Sequence, residues 1–149
     1  MGADPLLVPG ITDAGRDPVV LRGFLTVVHR LLREHSGRLT GELLEPDPGR
    51  NHYTQPITLR DATEVALLLQ PQVRYVAAVV GQGPRFPGRF HDVPAGHLFE
   101  GYGFRVVTAD EMERNLTDGL MANLDTSERD QASYWTPQRV GEVVFNIWD

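Results

Sequence analysis

The sequence predicts an α+β fold, a single domain in which a small mixed β-sheet is packed by about four helices. Three observations carry that prediction. A chain of 149 residues suits one domain with a core of its own. Apolar residues recur at helical spacing near the N-terminus and again in the second half, with β-branched runs bounded by turns between them. No period repeats, and no low-complexity linker divides the chain. A three-layer α/β sandwich is the alternative arrangement of the same elements.

Residues 1–16 are rich in Gly, Pro and Asp and read as an irregular lead-in. Asp17-Pro18 is an N-cap followed by proline at the first helical position. Behind it, Val20, Leu21, Phe24, Val27, Val28, Leu31 and Leu32 fall on one helical face, and Gly37 ends the helix. Leu39–Leu44 reads as a strand before the turn Pro46-Asp47-Pro48-Gly49, with Tyr53–Ile57 as its partner. Thr58 and Asp61 suggest a capping box, and Ala62, Val65, Ala66 and Leu69 then suggest a helix over 59–70 that Pro71 stops.

Val73–Val80 is the clearest strand, and its near-continuous apolarity places it at the centre of a sheet. A long loop over 81–104 leaves it. Phe104–Val107 is a second short strand. Thr108 and Glu111 form a capping box for a helix lined by Met112, Leu116 and Leu120. Residues 122–134 are polar and read as a surface loop. Thr136-Pro137 repeats the cap-then-proline start. The tail 140–147 fits either periodicity, and the Thr-Pro start favours a helix despite the interior Gly141.

Composition excludes several kinds of chemistry. Apolar residues make up 41% and charged residues 23%, enough for a core that needs no staple. The absence of cysteine removes disulfides, thiolate nucleophiles and cysteine zinc sites. All 14 cationic residues are arginine, which removes Schiff-base and Walker lysines. A net charge of −6 argues against bulk nucleic-acid binding. No secretory signal opens the sequence and no apolar run approaches the ~20 residues of a membrane span, so a soluble cytoplasmic protein is expected.

The stretch GQGPRFPGRFHDVPAGHLFEGYGF, residues 81–104, is where chemistry is expected if there is any. It is no dinucleotide fingerprint, because the third glycine of that pattern falls on Phe86 and two prolines oppose the helix it needs. There is no nucleophile elbow. Arg85 and Arg89 are candidate anion ligands on a glycine-rich turn, with solvated turn residues as the simpler reading. His91, Asp92, His97 and Glu100 are the catalytic candidates. Imidazoles and carboxylates of this kind serve either as metal ligands or as an acid/base pair. No motif names a cofactor.

The other histidines carry less. His29 lies on the polar side of the first helix, His35 in its last turn, and His52 beside a turn. Phe86, Phe90, Phe99, Tyr102 and Phe104 are expected to anchor the long loop to the core. Tyr134, Trp135 and Trp148 read as core or rim packing. The acidic run Asp110, Glu111, Glu113 and Asp118 gives one helix a negative end that suits a basic partner.

Together these features point to a non-catalytic protein-binding or regulatory module, with the size and charge of antidote or immunity proteins. The alternative is a small metal-dependent or acid/base hydrolase or lyase using the 81–104 loop.

Overall fold

The computed structural model describes residues 5–13, 15–82 and 88–148. In chain order the elements are α1 (Pro18–Glu34), β1 (Arg38–Leu39), β2 (Tyr53–Thr58), β3 (Glu64–Gln70), β4 (Tyr75–Val80), β5 (Arg89–His91), α2 (Gly96–Glu100), β6 (Arg105–Val106), α3 (Ala109–Glu113), α4 (Asp118–Met121), α5 (Thr126–Trp135) and α6 (Gly141–Val144). The fold is α+β. Among the described residues the sheet has six strands. Strands β1 to β5 run as an antiparallel series, and β6 pairs parallel with the first half of β4.

The sheet is apolar on both faces because both are covered. Val65, Leu67 and Leu69 of β3, with Val76 and Ala78 of β4, face the buried stripe of α1, including Phe24, Val28 and Leu31. Phe99 and Phe104 complete that layer, each ring packing on Phe24. Ala66 and Leu68, with Tyr75, Ala77 and Val79, face the opposite layer. There the cover is Leu7 and Ile11 of the lead-in, Met112 of α3, and Val140, Val143, Val144 and Phe145 around α6. Among the described residues the lead-in has no helix or strand, but its Leu6, Leu7 and Ile11 are part of the core.

Several sequence expectations hold at the level of single bonds. The Asp17 side chain caps α1 by accepting from the Val20 amide, with proline at the first position. Thr108 and Glu111 close a reciprocal capping box on α3. At the end of α1 the left-handed residue is Ser36, with φ of 52°. Gly37 follows because a Cβ there would sit 2.8 Å from the Thr58 carbonyl oxygen, where the helix exit crosses β2.

Other expectations are corrected. Residues 59–70 are no helix. Thr58 ends β2, and Asp61 Oδ1 accepts the Thr63 amide in a turn where Ala62 takes φ of 67°. Glu64–Gln70 then returns as β3 between β2 and β4. An apolar run filled on both faces satisfies helical and strand spacing alike, and pairing with two neighbours decides it. Of the 39–44 strand only Leu39 forms, together with Arg38 in β1, with an isolated bridge at Leu44. The helix behind Thr108 breaks at Arg114, whose ψ is 137°. The polar stretch 122–134 is not a loop throughout, since Thr126–Trp135 is helix α5. Thr136 is its left-handed cap rather than the start of the next helix, and the tail is helical only over Gly141–Val144.

The long loop is likewise broken by structure. β5 pairs back on β4 with Phe90 opposite Val79, and α2 packs against α1. The outer edge of β5 is closed from α3. Glu113 accepts the Phe90 amide at 2.9 Å and an Arg139 N–H at 2.6 Å, and Arg139 lies over the Phe90 ring. This covers the backbone donor that an edge strand would otherwise offer to another chain.

Gly141 is the tightest position in this layer. A Cβ there would overlap the Phe90 ring and approach the Met112 carbonyl oxygen to 3.1 Å. Phe90 cannot easily yield, being held between Phe145 and Arg139. Gly141→Ala is therefore expected to destabilise by roughly 2 kcal/mol, overpacking outweighing the ~1 kcal/mol gain in helix propensity. Urea titration of Gly141→Ala, of Phe90→Leu and of the double variant checks this. The double variant should lose less than the sum of the singles.

Candidate functional site

The sequence candidates are dispersed in their roles. Arg85 and Phe86 lie outside the described residues. Arg89 is exposed on β5, opposite Val80. His91 is exposed on the same strand, opposite Ala78, while His97 and Glu100 are exposed on α2. Among the described residues, the side chains of His91, His97 and Glu100 have no hydrogen-bond or ion-pair partner. Asp92 has a structural bond, accepting the Ala109 amide at 2.8 Å to fix the start of α3. Among the described residues, no three His, Asp or Glu are placed to hold a metal ion.

The aromatics of that stretch are anchors. Phe90, Phe99 and Phe104 are buried and Tyr102 is half exposed. The acidic run is partly consumed, Glu111 by its capping box and Arg105, and Glu113 by β5 and Arg139. Asp110 and Asp118 remain exposed.

The densest polar arrangement lies elsewhere, where the lead-in, the start of β2, β3 and the C-terminal segment meet. Asn51 is buried, and its amide donates to the carbonyls of Ile11 and Val144, both at 2.9 Å. Its Oδ1 accepts the Asn146 amide at 3.0 Å and faces His52 Nδ1 at 2.9 Å. Gln70 also donates to the Ile11 carbonyl, and Asn146 donates to those of Thr12 and Val143. These bonds supply the partners that a strandless segment such as the lead-in needs in order to be buried.

The same geometry sets the state of His52. An acceptor at Nδ1 requires the proton on that nitrogen, leaving Nε2 with its lone pair buried and without a partner among the described residues. The ring stands edge-to-face with Phe145. Burial, reinforced by the Arg50 charge, pushes the imidazole pKa down to about 3, so the ring is neutral.

Glu128 holds the other end of the lead-in. It is buried, accepts the amides of Gly10 and Thr12 at 2.8 Å each, and accepts the Thr12 hydroxyl at 2.6 Å. It also closes a capping box with Asp125 at the start of α5. Burial acts to raise its pKa, but the bonds from Thr12, Gly10 and Asp125 outweigh that and hold it below the usual carboxylate range.

Beside this network a polar cleft of about 210 Å³ opens between the lead-in, the turn at 48–50, α5 and the tail. Asp13, Arg50, Asp125, Gln131, Asn146 and Trp148 line it. Next to it, α5 presents Tyr134 at 77% exposure against Trp135, their rings edge-to-face at 5.1 Å. Only Glu128 and Ala132 of that helix are buried. Of the two placements expected for Tyr134, core or rim, its exposure excludes the core.

One signal for this region stands in the sequence, the Asp125-x-x-Glu128 spacing of a capping box. Asn51, His52 and Asn146 carry none, because their partners are up to 134 residues away. Compared with known families, curated proteins and solved structures, the chain finds no match. No helix among the described residues is long and apolar enough to cross a membrane.

Proposed function

We propose that the protein is a non-catalytic binding module that receives a basic protein partner on the exposed face of α5. The observation that carries this reading is the Tyr134–Trp135 pair. Two large aromatics stand on a helix that contributes little to the core, and such residues dominate the energetics of protein interfaces. The charge supports the class of partner. The chain carries −6 overall, and Asp125 and Asp130 are exposed on and beside this helix. The helix's own cation, Arg129, turns its guanidinium back onto the Leu124 carbonyl and the Thr126 hydroxyl.

The test compares capture of partners from the native cell by the wild-type protein, by Tyr134→Ala/Trp135→Ala, and by a control altered on β1, Leu39→Ala. A partner held by wild type and control should be reduced at least tenfold on the double variant, as expected for loss of interface anchors of about 1.4 kcal/mol or more. Unchanged circular dichroism is required of both variants. Equal retention by the double variant would remove α5 as the docking face.

A further inference from the structure

Resting on that reading of α5, we propose that Glu128 is the positioning residue of the docking face, a latch to the lead-in without which α5 detaches and frays. The helix is a strap. Leu124 just before it and Val140 beyond it are both buried in the core layer under the lead-in. Between these two ends, only Glu128 and Ala132 of α5 are buried.

The bonds that join α5 to a distant part of the chain converge on the Glu128 carboxylate. One oxygen accepts the Gly10 amide and the other the Thr12 amide, each at 2.8 Å, and the second also accepts the Thr12 hydroxyl at 2.6 Å. The other side-chain bonds of the helix are local. Arg129 donates to the Leu124 carbonyl and the Thr126 hydroxyl, and Trp135 donates to Gln131.

The lead-in is shaped for this carboxylate. Gly10 takes φ of 90°, the Ile11 amide donates to the Val8 carbonyl and the Asp13 amide to the Gly10 carbonyl. The turn so formed points the Gly10 and Thr12 amides at one anion. The same side chain also starts the helix, since its Oε1 accepts the Asp125 amide in the capping box. Docking and helix start therefore share one carboxylate. Ten residues with a single buried apolar side chain, Ala132, are too few to stay helical unsupported. Detached from the lead-in, α5 frays, and Tyr134 and Trp135 lose the backbone that holds their rings edge-to-face. By linkage, a partner seated on α5 protects the lead-in, and displacement of the lead-in disarms the face.

The experiment follows amide hydrogen exchange across the whole protein in the wild type, Glu128→Gln and Gly10→Ala. Glutamine keeps the size but replaces one acceptor oxygen by a donor, among groups that all donate. Gly10→Ala acts from the other side of the latch. Nothing lies within 4 Å of the added Cβ, so its cost is the positive φ alone. Exchange of the α5 amides at 132–135 is expected to rise at least tenfold in Glu128→Gln and about fivefold in Gly10→Ala, with the β3 and β4 amides unchanged. Unchanged α5 exchange in Gly10→Ala, or a rise by the same factor throughout the sheet, overturns the proposal. Gly10→Ala decides where Glu128→Gln does not fold. The two readings fail separately. Faster α5 exchange with a partner retained on Tyr134→Ala/Trp135→Ala removes α5 as the docking face and keeps the latch. Unchanged exchange with the partner lost on that variant keeps the docking face and removes the latch.

Discussion

Asn51→Ala is expected to lower folding stability by roughly 3–5 kcal/mol, a large fraction of the 5–15 kcal/mol that a domain of this size has. The substitution deletes two donors and an acceptor shared by two groups. It leaves the Ile11 and Val144 carbonyls and the Asn146 amide short of partners, each at about 1–3 kcal/mol when buried, though not additively. The Ile11 carbonyl keeps its bond from Gln70, which holds the estimate below the full sum. Asn51→Asp should be at least as severe, because it removes the same donors and buries a charge. Urea denaturation measures both. A loss below about 1 kcal/mol for Asn51→Ala would mean that water or relaxed backbone replaces these bonds.

The second large effect is acid lability from His52. The ring is neutral when folded, with its pKa pushed down to about 3, whereas the unfolded chain takes a proton near 6.5. Below 6.5 the unfolded state therefore binds more protons, and stability falls as pH falls, until the folded state also protonates near 3. Between pH 7.5 and pH 5 the loss is expected to be about 2 kcal/mol. Glu128 acts in a lower window. Its pKa is depressed in the fold, so its contribution is present above the ordinary carboxyl value of 4.5 and is lost only as pH drops below it. Denaturant melts at pH 7.5, 6 and 5 thus isolate His52. His52→Gln, which keeps a donor for Asn51, should flatten the profile across that range. An equally steep profile in the variant would assign the acid sensitivity to other groups.

Local chemistry was legible and distant pairing was not. Asp17-Pro18, the α1 stripe and the Thr108–Glu111 box are contained within a few residues, and each forms as its spacing predicts. Of Val73–Val80, Tyr75–Val80 forms the buried strand that its β-branched residues predict, while 73–74 belong to the preceding turn. β3 was not legible, since Val65, Ala66 and Leu69 suit a helix until β2 and β4 flank them. Helix α5 lacks an apolar stripe altogether, and its buried anchor is a carboxylate. The histidines that stood out, His91 and His97, are exposed. The buried one, His52, carries no local signal because its environment comes from Phe145 and Asn51, assembled only by the fold. The same holds for the cleft, whose walls come from four separate parts of the chain.

The Asn51 junction also orders events in time. The β2–β3–β4 meander pairs strands joined by short turns, with a small entropic cost of closure. Asn51 instead waits for residues 93 and 95 positions away, and Asn146 reaches Thr12 across 134. Contacts of that span are expected to form after the meander has collapsed and to be the first to release. Their loss then accelerates unfolding and leaves the folding rate nearly unchanged. The lifetime of the native molecule, as distinct from its equilibrium stability, is expected to depend on how often the two ends of the chain let go of one asparagine, which the unfolding rate of Asn51→Ala reads out.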